Sequence, residues 1–179
     1  ALSMDKSHTE IYKDISDVYE KKRDFPKAIE AYKNYLDEMK SSPDISDLFL
    51  YGRLNYYAAT DSAYQDKQPT YLAEADTIFA QVAVKVPDNY LGNFWRARVN
   101  SLRDPETTQG LAKPYYEAAL SILEQKPDAT KSVLVECNSY LGYYYFVKED
   151  YNQSKQYWNK ILEIDPENET ATKALGGIK

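Results

Sequence analysis

The sequence predicts an all-α fold in which pairs of antiparallel helices stack side by side into a solenoid. Apolar residues recur at three- and four-residue steps, and the two-residue alternation of β-strands is absent. Glycine, which weakens helices, is scarce, with 6 in 179 residues. A proline followed by an acid closes each predicted helix pair, at Pro43-Asp44, Pro87-Asp88, Pro127-Asp128 and Pro166-Glu167. We therefore expect a single domain over residues 1–179 built from about four helix pairs.

The stretch 138–166 shows the pattern most clearly. Leu141 and Tyr145 mark one face of a first helix, and a polar break follows at 148–150. A second helix then carries Trp158 and Ile161 at helical spacing until Pro166 ends it. A small residue in the first helix lets the two backbones approach, so a bulky aromatic side chain of the second helix is expected beside it.

Six of these residues fall in register with the repeat W-x2-L-G-x2-Y…A-x3-F…P, namely Leu141, Gly142, Tyr145, Ser154, Trp158 and Pro166. The stretch therefore resembles a tetratricopeptide repeat (TPR) of an irregular bacterial type. Asn138 stands in place of the leading Trp, and Ser154 in place of the Ala of the second helix. Because one such pair cannot bury its apolar faces alone, at least three must stack. The resemblance implies a right-handed superhelical solenoid of antiparallel helix pairs.

The first predicted unit, 9–43, matches the repeat closely. Its first helix has Ser16 at the position of the small residue, and a turn is predicted at 22–24. Pro26 fits the opening turn of the second helix, where proline is tolerated. The second helix follows the repeat register from Ala28 through Tyr32 to Tyr35.

The second unit, 44–87, should begin at Asp44 or Ser46, both good N-caps. Gly52 takes the place of the small residue, and Ala75 and Phe79 fit the second helix. Residues 61–70 are surplus to the repeat. They either lengthen both helices or form a mobile polar loop with an exposed tryptic site at Lys67.

The third unit, 88–127, aligns with the second without a gap, since FWRARVN follows the pattern of FLYGRLN. Its first helix is expected to end at 103–106, and its second to begin near Ala112. The fourth unit, 128–166, contains Gly142. A final helix over 167–176 is predicted to cap it weakly through Ala171, Ala174 and Leu175.

Composition argues against several functions. The net charge of −6 disfavours nucleic-acid and anionic-membrane binding, and no apolar run approaches the ~20 residues of a membrane span. One histidine, His8, in a polar N-terminal stretch expected to fray, and one cysteine, Cys137, supply neither a zinc site nor an activated nucleophile. Phosphate-binding glycine loops are missing as well. We expect no enzyme, no metal and no cofactor.

A binding surface is the remaining prediction. In proteins that this sequence resembles, the first helices line the concave face, and ligand contacts lie one turn either side of the small residue. That implies a groove formed by Phe49, Arg53, Tyr56, Phe94, Arg98 and Tyr143. Arg53 and Arg98 would hold one ligand together, such as a peptide C-terminus or an acidic segment. In the alternative, the arginines pair internally, Arg53 with Asp17, while Arg96 holds Asp104 or Glu106.

The predicted function is a non-catalytic scaffold that binds a peptide or protein segment. Two alternatives stay open, a sensor or regulatory segment of a larger signalling protein and a self-associating structural spacer. The opening residues show no signal peptide and read as a trimmed segment of a larger repeat protein. Periplasm and cytoplasm of a bacterium are equally compatible with this sequence.

Overall fold

The structure, a computed structural model, describes residues 2–39, 41–126 and 128–178, with side chains from residue 8 onward. Its regular elements within these ranges are all helical, which confirms the predicted all-α class. They are α1 (Leu2–Lys21), α2 (Phe25–Glu38), α3 (Ile45–Thr60), a 3-10 helix (Ser62–Lys67), α4 (Gln68–Lys85), α5 (Leu91–Arg103), α6 (Lys113–Leu123), α7 (Lys131–Val147), α8 (Tyr151–Ile164) and α9 (Glu169–Gly177). The chain divides into two compact units, Ala1–Val86 and Pro87–Lys179.

In the first compact unit, residues 1–86, α1 packs on α2, α2 on α3, and α3 on α4. The turn after α1 lies at 22–24, as predicted, with Arg23 at a φ of 58°. The Asp24 side chain then caps α2 by accepting the backbone N–H of Lys27. The polar N-terminal stretch was expected to fray, but α1 begins already at Leu2 and continues through His8 without a break.

Helix α3 begins after Asp44, one of the two predicted N-caps. Asp44 and Asp47 form a capping box, in which each side chain accepts the backbone N–H of the other residue. The surplus residues 61–70 form neither a polar loop nor a simple extension of both helices. They form the 3-10 helix and the first turn of α4, with Gln68 Nε2 donating to the Ala59 carbonyl at 2.9 Å.

In the second compact unit, residues 87–179, contacts again follow chain order, from α5 on α6 to α8 on α9. Helix α5 ends at Arg103 and α6 starts at Lys113, as the sequence predicts within one residue. The loop between them is organised by Asp104, a buried side chain whose carboxylate accepts the backbone N–H groups of Gln109 and Gly110 at 3.0 and 2.7 Å.

The turn between α7 and α8 repeats the turn between α1 and α2. Glu149 has a φ of 60°, and Asp150 caps α8 by accepting the N–H of Gln153. Helix α9 packs on α8, where Ala171 and Ile178 join a core with Trp158 and Ile161. The sequence predicted Ala171 in this role and missed Ile178. The division into four repeats with bounds at 43, 87 and 127 stays a prediction.

The small residues lie where the repeat register places them. A Cβ atom on Gly142 would lie 2.7 Å from Cε2 of Trp158, and one on Gly52 would lie 2.7 Å from Cε1 of Phe79. Real Cβ atoms essentially never come this close to another atom, so the absence of a side chain is what allows each helix to approach the aromatic ring. The repeat spacing had predicted this close approach at both positions.

Candidate functional site

Arg53 lies on α3 with about 30% of its side chain exposed. Its Nη2 atom reaches Glu20 Oε1 on α1 at 3.4 Å, and its guanidinium carbon lies 5.3 Å from the centre of the Tyr57 ring. The Nε atom is buried without a hydrogen-bond partner. The sequence suggested Asp17 as the internal partner, but the glutamate one turn further along α1 takes that place. The contact with Glu20 is long, so it leaves most of the guanidinium donors unused.

Two predicted aromatic residues accompany Arg53 on α3. Phe49 is half-buried and packs edge-on against Phe79, with ring centres 5.9 Å apart. Tyr56 is also half-buried and lies 6.0 Å from Tyr57. The first compact unit therefore presents a partly exposed guanidinium beside aromatic rings. Such a surface suits a ligand with a carboxylate next to an apolar group.

Arg98, the equivalent arginine on α5, is held more firmly. Its Nε and Nη2 atoms donate to the two carboxylate oxygens of Glu136 on α7, at 2.7 and 2.6 Å. The guanidinium also stacks on Phe94 and Trp95, with its carbon 4.4 and 5.0 Å from the ring centres. Phe94 is only 3% exposed, so this predicted groove residue lies beneath the arginine instead of facing solvent.

Glu136 also accepts the hydroxyl of Tyr116 at 3.2 Å. Burial, followed by the charge of Glu136, raises the pKa of Tyr116 well above its usual value of 10.0. Arg98 and Tyr116 thus donate to the same carboxylate, that of Glu136. The sequence missed this partner because Glu136 stands 38 residues after Arg98 and no local spacing links them.

A second acidic side chain, Asp47, is buried on α3 with 3% of its surface exposed. Its carboxylate accepts Lys13 at 3.2 Å and the hydroxyls of Tyr32 and Tyr35 at 3.3 and 3.1 Å. Burial opposes the charge on Lys13, but the hydrogen bond to Asp47 and neighbouring acidic groups outweigh it and raise the pKa of Lys13 above 10.5. This cluster is internally satisfied, so it supplies packing and no free binding group.

The second compact unit exposes an apolar surface around α7 and α9. Tyr143, a predicted groove residue, is 43% exposed, and Phe146 one turn later is 42% exposed. They border a cavity of about 240 Å³, which we call the terminal pocket. Its lining consists of Tyr143, Phe146, Trp158, Lys173, Ala174, Gly177 and Ile178.

The residues considered for chemistry either contact other side chains or are buried. His8 contacts Glu38 at 3.4 Å and the Tyr12 ring edge-on. Cys137 is fully buried, and burial together with the charge of Glu136 raises the pKa of its thiol to about 12, so the nucleophilic thiolate is disfavoured. Within the described ranges, no group of three or more His, Cys, Asp or Glu residues lies close enough to hold a metal ion.

Arg96 was suggested as a partner for Asp104 or Glu106. Its Nη2 atom instead contacts the Tyr115 hydroxyl at 3.0 Å, and its guanidinium lies over the Tyr115 ring at 4.1 Å. Among the described helices, none is both long enough and apolar enough to pass through a bilayer. Arg53 and Arg98 belong to different compact units, so a ligand shared between them stays a prediction.

Solved structures of TPR proteins share this arrangement of stacked helix pairs. The fold of the chain is that of a TPR-type helical repeat protein. It is similar to the C-terminal part of a TPR repeat-containing protein from Cytophaga hutchinsonii, with a TM-score of 0.82 and 31% sequence identity. The match covers 95% of this chain and 61% of that one. The chain thus spans about three fifths of the length of this neighbour.

MamA from Desulfovibrio magneticus RS-1 has the same fold, with a TM-score of 0.67 at 18% identity, covering 95% of this chain and 82% of that one. A double mutant of RS-1 MamA gives a TM-score of 0.68 with the same identity and coverage. No protein-family model matches the sequence, and no curated protein does. The bacterial sources of these neighbours agree with the bacterial character inferred from the sequence.

Proposed function

We propose that the chain binds an extended protein segment, and that Arg53 holds a carboxylate of this segment while Phe49 and Tyr56 contact an apolar side chain next to it. The observation that supports this proposal is the difference between the two arginines. Arg98 has a bidentate pair at 2.6–2.7 Å, whereas the hydrogen bond of Arg53 to Glu20 is 3.4 Å long. A ligand carboxylate can therefore reach Arg53 without displacing a strong internal partner.

The Arg98–Glu136 pair, in contrast, contributes to the stability of the fold. Removing one member would leave Glu136 facing Tyr116 with no cation, at a site where each partner of the pair is only about a third exposed. Losing a charge partner in such surroundings costs more stability than losing a solvated one. In this proposal Arg98 holds α5 against α7, and Arg53 binds the ligand. The internal pairing considered from the sequence thus applies chiefly to Arg98.

The test uses pooled random peptides with a free C-terminal carboxylate and the same pool with C-terminal amides. After selection on the wild-type chain, fluorescence anisotropy of single peptides measures affinity. We expect Arg53→Ala to weaken binding of free-carboxylate peptides by about 10- to 150-fold, the equivalent of ~1.5–3 kcal/mol for a charge-assisted bond. Its melting temperature should stay close to that of the wild type.

Lys33→Ala is the matched control, since it removes one positive charge from an exposed position on α2. It should leave affinity unchanged. Arg98→Ala should lower the melting temperature. Peptides whose amides bind as well as their free acids would contradict the carboxylate part of the proposal. A pool from which no peptide is selected would contradict peptide binding itself. The sensor alternative stays a prediction.

A further inference from the structure

Helix α1 carries three exposed branched aliphatic side chains in one row, which we call the aliphatic stripe. Ile11, Ile15 and Val18 are 51, 37 and 49% exposed. Their spacing of four and three residues places them one above the other on a single helix face. A row of aliphatic groups left in water is unfavourable, and contiguous exposed apolar surface marks an interaction site.

In later helix pairs, the positions equivalent to those of the aliphatic stripe are buried. Counted from the small residue of each first helix, Val18 corresponds to Leu54, and Ile11 to Cys137. Leu54 is 3% exposed and packs with Ala28, Tyr32 and Tyr35 of the preceding helix α2. Cys137 is fully buried. The aliphatic stripe therefore has the composition of a face that, in later pairs, receives another helix.

The terminal pocket offers an apolar surface of complementary form. Its volume of about 240 Å³ exceeds the ~150 Å³ of a cavity that admits a benzene ring. It is thus roomy enough for one branched aliphatic side chain. Tyr143 and Phe146 at its border are each more than two fifths exposed, so the surface around the opening is apolar too.

Charges on the two surfaces are also complementary. Asp14 is exposed and lies three residues after Ile11 and four before Val18, so it borders the aliphatic stripe. Lys173 lines the terminal pocket and is 77% exposed. Its i,i+4 partner Glu169 is 82% exposed, and a pair so solvated is weak. Lys173 can therefore turn towards a carboxylate of an incoming helix.

We propose that the aliphatic stripe of one copy of this chain docks into the terminal pocket of a second copy. The two surfaces differ, so the contact is head-to-tail, and each dimer keeps one free stripe and one free pocket. Assembly then grows past the dimer unless a ring closes. This self-association uses α1 and α7–α9 and is separate from peptide binding at Arg53.

Sedimentation velocity over low to high micromolar concentrations tests the proposal. Wild-type protein should grow from monomer to species larger than a dimer. Ile15→Glu, which disables the stripe, and Tyr143→Glu, which disables the pocket, should each stay monomeric with a wild-type circular dichroism spectrum. Val84→Glu is the control, because Val84 is an 81% exposed apolar residue on α4 outside both surfaces. It should assemble as the wild type does.

Mixing the two disabled variants gives the decisive result. The Ile15→Glu copy keeps an intact pocket and the Tyr143→Glu copy keeps an intact stripe, so the mixture should form dimers and nothing larger. A wild-type chain that stays monomeric would overturn the proposal and leave the stripe to a different occupant, such as a further helix pair. A mixture that stays monomeric, or a Val84→Glu variant that fails to assemble, would overturn it too.

Discussion

Ser154 on α8 donates its hydroxyl to the backbone carbonyl of Gly142 on α7, at 2.8 Å. The first helix pair contains the same bond in the opposite direction, from Ser16 on α1 to the Ala28 carbonyl on α2, also at 2.8 Å. All four residues occupy the small positions of the repeat register. The serine at 154, which departs from the alanine of the repeat, thus adds a buried hydrogen bond between two helices and introduces no unsatisfied group.

Replacing Ser154 with Ala should remove this bond without creating a cavity of any size. We expect the free energy of unfolding to fall by about 0.5–1.5 kcal/mol, the usual net value of a hydrogen bond. Ser16→Ala should lose a similar amount. Urea denaturation measures both, with Ser132→Ala, an exposed serine on α7, as the control expected within about 0.5 kcal/mol of wild type. Equal stabilities for all three variants would contradict this account.

Gly52 and Gly142 should respond differently to the same substitution. At each position an added Cβ atom would lie 2.7 Å from a carbon of the facing aromatic ring. Phe79 opposite Gly52 is fully buried, whereas Trp158 opposite Gly142 borders the terminal pocket and has space to shift. Overpacking of a closed site costs about 1–3 kcal/mol, and the helix-propensity gain of Gly→Ala is common to both.

We therefore expect Gly52→Ala to lower stability more than Gly142→Ala does, in the same urea titration. The result that would contradict this expectation is a larger loss for Gly142→Ala, since that would show that the indole cannot move. Filling of the pocket by the displaced indole should also reduce self-association of Gly142→Ala. That second measurement separates a shifted indole from a rigid one.

Local sequence signals were sufficient to predict the helix pairs. The Gly142–Trp158 and Gly52–Phe79 contacts follow from repeat spacing, and Asp24 and Asp150 cap helices that begin where the apolar periodicity begins. The site depends on partners distant in sequence, which spacing does not reveal. Glu136 lies 38 residues from Arg98, and Glu20 lies 33 residues from Arg53. The exposed row on α1 also escaped notice, because its periodicity is the same as that of a buried face.

Asp104 should be the residue on which the loop between α5 and α6 depends most. It is 3% exposed and accepts two backbone N–H groups within 3.0 Å, while Thr107 and Gly110 in the same loop have φ angles of 57° and 72°. Asp104→Ala would leave these donors without their acceptor, at a cost of about 1–3 kcal/mol. Thermal unfolding measures the loss. Glu106→Ala, an exposed neighbour, is the control, and a loss there as large as at Asp104 would contradict the assignment.

The 3-10 helix is tied to the turn between α1 and α2 by Asp61 and Tyr64. Asp61 Oδ2 accepts Arg23 Nε and Nη2 at 3.1 and 2.8 Å, and its Oδ1 accepts the N–H of Ala63 at 3.0 Å. The Tyr64 hydroxyl donates to the Arg23 carbonyl at 3.1 Å. These contacts explain why the surplus residues are ordered, although their composition predicted either helix extension or a mobile loop.

Acid should release this segment. The Ala63 N–H and the Arg23 guanidinium lower the pKa of Asp61 below its ordinary value of 3.8. Because the folded pKa is the lower one, the stabilisation is present in full above about pH 3.8 and is lost as the pH falls through the folded pKa.

Asp61→Asn imitates the protonated state at neutral pH, where trypsin is active. We expect this variant to be cut after Lys67 faster than the wild type, since proteases cleave segments that open locally. Asp66→Asn removes an equal charge from an exposed position in the same 3-10 helix and should be cut at the wild-type rate. If both variants are cut equally fast, the net charge of the segment controls its opening, and the Asp61–Arg23 contact does not.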